Sequence, residues 1–179
     1  MRDGNFYRGG LAEFIGTVLF TELHFGITGC SQRSPFFLGA FSHFLAYWFL
    51  LITFGPMSGG HLNPLITAST LCTGKTSVPR AVTYMGLQCM GAVFAALSYM
   101  DMFDESIRSR TLECGYISDG KTGGEYILFQ IIQNLTFLFF LYAIAFDSRA
   151  SSMLGYFHAP MLPSISYGLL IFSTLILLL

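Results

Sequence analysis

Five stretches of this chain, at about residues 11–30, 36–54, 79–100, 126–146 and 160–179, are each apolar over close to the length of a membrane-crossing helix. Such a helix needs roughly 20 residues to cross about 30 Å of hydrocarbon. This leaves few folds open, because a segment surrounded by lipid must satisfy its backbone N–H and C=O groups within itself, and an α-helix does so. The chain therefore reads as a single all-α domain over 1–179, a multi-pass integral membrane protein whose first partner is the lipid bilayer. Of its residues 53% are hydrophobic and 11% charged, against about 25% charged in a typical soluble domain. Nine Lys+Arg nearly cancel ten Asp+Glu, so no field exists to hold nucleic acid, and no such partner is expected.

The remaining composition excludes more than it assigns. Cys30, Cys72, Cys89 and Cys114 form no CxxC pair and have no interleaved histidines, which argues against a zinc site or redox motif. No nucleophile, base and orienting acid stand at recognisable spacing and no phosphate loop is present, so neither an enzyme nor a cofactor is expected. The polar start, residues 1–10, reads as a short soluble tail without a signal peptide. Residues 101–125 mix charges of both signs with four glycines and read as a solvated loop. Lys and Arg divide five against four between the two sides, which leaves orientation undecided.

Between the second and third long runs lies Leu62 to Cys72, apolar but too short to cross. Before it stands Ser58-Gly59-Gly60-His61-Leu62-Asn63-Pro64-Leu65, which joins a flexible glycine pair, a capping asparagine and a proline at the first helical position. The pattern predicts a re-entrant half-helix over 63–72. About ten residues at 1.5 Å each reach roughly 15 Å, to the middle of the membrane. There the half-helix tip presents unpaired N–H groups and the positive end of its dipole. Such a tip repels cations and hydronium while the Asn63 amide donates to a passing water. A plain helix-capping role in an interfacial loop is the other reading of the same residues.

The chain resembles the aquaporin, or major intrinsic protein, family at four places in order. Ala12-Glu13-Phe14-Ile15-Gly16-Thr17 is similar to the opening of that family's first span. Ser58 to Pro64 is similar to its first half-helix motif. Arg80-Ala81 with Tyr84, Gln88 and Gly91 follows its third-span pattern. Asp147-Ser148-Arg149 and Ala159-Pro160 fall at its fourth-to-fifth loop and the start of its fifth span. The resemblance implies a right-handed helical bundle built as an inverted repeat, with a cytoplasmic N-terminus. It implies that Glu13 is the carboxylate holding the re-entrant loop, although a residue so near the start of the run also suits the membrane interface. Asn63 and Pro64 become pore residues, and His61 lines the vestibule. His43 is placed either at the narrow filter or as a partnered core residue. Glu22 and His24 are additional intramembrane polar groups with no counterpart in the family, and a subunit contact is the role expected of them.

Four departures weigh on function. Leu65 stands where the family has alanine, and the span at 126–146 offers Gln130, Gln133 and Asn134 but no carboxylate. No second Asn-Pro with a following arginine is present, so the sequence supplies five spans, one half-helix and an incomplete inverted repeat. The last five residues, Leu175 to Leu179, lack an interfacial anchor. These point first to a non-conducting accessory subunit packed against other membrane subunits or in a homo-oligomer. The alternative is a water or small-solute channel whose second half-helix comes from elsewhere.

Overall fold

A computed structural model of the chain describes residues 3–31, 36–108, 123–144, 146, 155 and 157–177. Six helices account for most of them: α1 (Asp3–Ser31), α2 (Phe36–Ser58), α3 (Pro64–Cys72), α4 (Val78–Met102), α5 (Gly123–Ile144) and α6 (Met161–Leu177). Four of these, α1, α2, α4 and α5, are long and apolar enough to cross a membrane, and α6 carries a shorter apolar stretch, Met161–Thr174. α3, with nine residues, is about 13 Å long. The Asp147-Ser148-Arg149 segment and most of the expected loop at 101–125 lie outside the described residues.

Contacts along the chain define two compact units. The first comprises Met1–His24 and Phe49–Phe103, the second Phe25–Trp48 and Asp104–Leu179. In the first unit α3 packs on α4, and Ala12, Leu50, Phe54 and Leu62 form a buried apolar cluster with Phe20 against it. On α4 the buried residues are Ala81, Tyr84, Gln88, Gly91, Ala95 and Tyr99, a three-to-four-residue repeat that presents one inward face. α1 comes close to that face at Gly91, where an added Cβ would lie 2.8 Å from the carbonyl oxygen of Phe14.

Two sequence expectations are corrected here. Residues 3–10 are not a soluble tail but the first turns of α1. Gly9 and Gly10 are buried because Tyr84 and Leu87 of α4 occupy the space their side chains would fill. The second span, expected at about 36–54, runs further: α2 continues through Gly55 and Pro56 to Ser58. A proline near a helix C-terminus removes a single backbone donor, and the helix ends only where Gly59 and Gly60 take φ of 99° and 65°, values open to glycine.

In the second unit α5 packs on α6, and the Gln133 amide of α5 donates to Ser173 Oγ at 2.8 Å. Tyr167 of α6 sits among Tyr47, Phe137 and His43, with ring centroids 5.0–6.3 Å away. Gly168 allows α6 close to α2, since a Cβ there would lie 3.0 Å from the Ala40 carbonyl. Trp48 donates its indole N–H to the Phe157 carbonyl at 3.2 Å, fixing the segment that leads into α6.

Candidate functional site: a carboxylate-anchored half-helix

α3 is short and cannot hold itself in place, so the connection before it must. Glu13, fully buried on α1, receives four donors. Its Oε1 accepts from Ser58 Oγ and from the backbone N–H of His61 at 3.0 Å. Its Oε2 accepts from the N–H of Leu62 at 2.6 Å and from Gln88 Nε2 at 2.7 Å. A carboxylate offers about four acceptor positions, and here each meets a donor. The sequence alternatives for Glu13 were the loop and the interface, and the geometry puts the side chain on the loop.

The same contacts hold Leu62 in a left-handed conformation, φ 50°, which costs a branched side chain about 1–3 kcal/mol. Burial of the Leu62 side chain, 1% exposed beside Ala12, Leu50 and Phe54, offsets this. The turn at Leu62 delivers the next residue, Asn63, in an extended conformation (φ −152°) as N-cap of α3. Asn63 Oδ1 accepts from the N–H of Leu65 at 2.8 Å, and its carbonyl accepts from the N–H and hydroxyl of Thr67. The Asn63 Nδ2 donates to none of the described residues. Pro64 occupies the first helical position, where its missing N–H costs nothing. Leu65 follows, 36% exposed.

Thr67 is the hub behind the tip. It is fully buried, and its hydroxyl lies 3.1 Å from His61 Nδ1 and 2.9 Å from Gln88 Nε2. The His61 ring, 7% exposed, also rests edge-on against Tyr84 with centroids 5.7 Å apart, and the Tyr84 hydroxyl donates to the Ser58 carbonyl at 3.3 Å. Replacing Thr67 by valine strips the hydroxyl from this cluster and is expected to cost about 1–3 kcal/mol. Thr67→Ser keeps it and should cost less. Thermal unfolding of the purified proteins distinguishes the two, and equal stability of both variants would mean that the hydroxyl is not the hub.

The structure thus brings together Glu13, Gly59, Gly60, His61, Asn63, Pro64 and Leu65. His43 belongs to the other unit. There it is 3% exposed, its Nδ1 lies 2.8 Å from the Gly39 carbonyl, and its ring meets Tyr167 edge-on. A carbonyl can only accept, so Nδ1 carries the proton. Sequence reasoning assigned no role to Ser58, Thr67, Tyr84 or Gln88. The signal available was the spacing of Tyr84 and Gln88, one helical turn apart on the inward face.

The architecture is that of a multi-pass helical membrane protein with a short, capped half-helix suspended from a buried carboxylate. The family model of the major intrinsic proteins matches residues 1–177, and the chain belongs to that family. The lens fiber major intrinsic protein of Gallus gallus is 30% identical over 170 residues, covering 94% of this chain and 64% of that protein. Aquaporin-4 of Homo sapiens is 28% identical over 158 residues, covering 84% and 48%. The lens fiber protein of Oryctolagus cuniculus is 28% identical over 159 residues, covering 87% and 59%. The chain thus spans about half to two thirds of the length of these relatives.

Proposed function

We propose that the chain is a channel-forming member of its family that passes water or small neutral solutes, with α3 lining the path and Asn63 at its narrow point. The observation that carries this reading is the Asn63 carboxamide. Its oxygen is committed to the Leu65 N–H, which fixes the plane of the amide, and its Nδ2 is left with hydrogen-bonding capacity toward a passing solute. The positive end of the α3 dipole at the same point disfavours cations. The name of the human relative supports water as the solute.

A second reading rests on Leu65. A branched side chain stands exposed in the first turn of the half-helix, where it adds bulk at the tip. That supports an aquaporin-like membrane subunit that does not conduct and acts by packing against other subunits.

One experiment separates the two. The full native polypeptide is reconstituted into liposomes, and shrinkage in hyperosmotic medium is followed by stopped-flow light scattering. The channel reading expects wild-type shrinkage several-fold faster than protein-free liposomes, and a return to that baseline with Asn63→Asp. Baseline shrinkage for the wild type with fast shrinkage for Leu65→Ala would establish the occluded, accessory reading. Baseline rates for both, with folded protein, would overturn the channel reading.

A further inference from the structure

We propose that the end of the first unit at which α1 and α4 begin binds the headgroup of an anionic phospholipid through Arg8, Lys75 and Arg80, with the acyl chains lying over the apolar surface next to it. The two helices run side by side in the same direction. Gly9 lies against Tyr84 and Gly10 against Leu87, and two turns further along α4 Gly91 lies against Phe14 and Thr17. Gly9 and Tyr84 each stand six residues past the first residue of their helix, so α1 and α4 start at one level.

That level carries the cations. Arg8 adjoins Gly9, Arg80 is one turn before Tyr84, and Lys75 lies in the short turn joining α3 to α4. Along the helix axes Arg8 and Arg80 differ by about 5 Å. Arg8 and Lys75 are exposed and Arg80 is half-buried, and Arg8 makes no hydrogen bond or ion pair with any described residue. The carboxylates described in this unit lie elsewhere. Glu13 is committed to its four donors, Glu22 lies nine residues further along α1, and Asp101 stands at the far end of α4. Asp3, the first residue of α1, is the one acidic position at the cationic end.

Two observations make the occupant a lipid rather than a soluble anion. α1 and α4 are both long and apolar enough to cross a membrane, so the end they share meets a membrane surface, where lipid phosphates stand. Apolar exposure then begins within one turn of the cations on the membrane side, at Leu11 and Val82, each 60% exposed. Tyr7, exposed beside Arg8, is of the residue type that settles between headgroups and hydrocarbon. Cations at this depth attract anionic lipid, and salt screens the attraction.

The test measures equilibrium binding of tail-labelled lipids to the full native chain in neutral detergent by fluorescence anisotropy. Phosphatidylglycerol is expected to bind at least tenfold more tightly than phosphatidylcholine with the same acyl chains, and raising ionic strength from about 0.05 M to about 0.5 M should remove most of the difference. Arg8→Gln combined with Lys75→Gln, both at exposed positions, should weaken phosphatidylglycerol binding about tenfold to thirtyfold while Tm and phosphatidylcholine binding stay unchanged. Asp101→Asn, at the far end of α4, should leave the preference as it is. Equal affinity for the two lipids, an unaltered preference in the folded double variant, or a shift in Asp101→Asn as large as that of the double variant would each overturn the proposal. Glycerol 3-phosphate, the soluble headgroup, should fail to displace the lipid at equal concentration. Displacement at equal concentration would assign the site to a free phosphate ester and overturn the lipid as occupant.

Discussion

Glu13→Leu is expected to produce the largest loss of stability of any single change in the half-helix site. It removes the acceptor for Ser58 Oγ, for the backbone amides of His61 and Leu62, and for Gln88 Nε2. Two of these donors have fallbacks, since Ser58 also reaches the Phe54 carbonyl and Gln88 also reaches Thr67. The two backbone amides have no second acceptor among the described residues. Stranding a buried donor costs about 1–3 kcal/mol, so the pair costs about 2–6 kcal/mol. At about 2–4 °C per kcal/mol for a chain of this size, Tm should fall by roughly 10 °C. Leu62 should then leave its left-handed conformation, and the segment 58–62 should become cleavable by protease in detergent. Glu13→Gln, which keeps one acceptor oxygen, should fall between the two. Wild-type Tm and protease resistance in Glu13→Leu would show that the carboxylate does not hold the loop.

The second large effect is expected from a single methyl group. Gly91→Ala places a Cβ 2.8 Å from the Phe14 carbonyl oxygen and 3.3 Å from Thr17 Cβ. The first is backbone and cannot turn aside, so α1 must move away from α4. Gln88 is one turn before Gly91 and Phe14 adjoins Glu13, so the same movement stretches the Gln88–Glu13 bond. Overpacking of this kind costs about 1–3 kcal/mol, with the lost bond added. Gly86→Ala on the same helix is the control. Nothing lies within 4 Å of a Cβ there, and it should be neutral or stabilising by about 0.4–1 kcal/mol. Thermal unfolding of both variants tests the pair, and equal Tm values would mean that the two helices do not meet closely at Gly91.

What could be read from the sequence was the part of the structure written in short-range chemistry. Asn63 before Pro64 pairs a capping side chain with a residue suited to the first helical position, and the structure places the N-cap there. A carboxyl in the first apolar run has to have a partner, and Glu13 has four. The tail at 3–10 was misread because glycines and charges disfavour helix locally, while packing on Tyr84 and Leu87 decides otherwise. A second span ending near 54 falls short because Pro56 does not stop α2: a proline's effect depends on how many turns of helix remain. The roles of Gln88 and Thr67 were hidden for a different reason. They join residues 75 and 21 positions apart, and no local pattern records which side chains will meet across such distances.

The separation between Glu13 and its donors also sets a timetable for making the protein. The amides of His61 and Leu62 follow Glu13 by 48 and 49 residues, and Gln88 by 75. At about 5–20 residues per second of synthesis, the last donor arrives about 4–15 s after the acceptor. Through that interval the nascent first helix holds a carboxyl with no finished site to receive it, so it cannot be handed irrevocably to lipid. The loop amides close on Glu13 first and Gln88 locks the assembly later, which makes emergence of the third full span the step that commits the half-helix to its place.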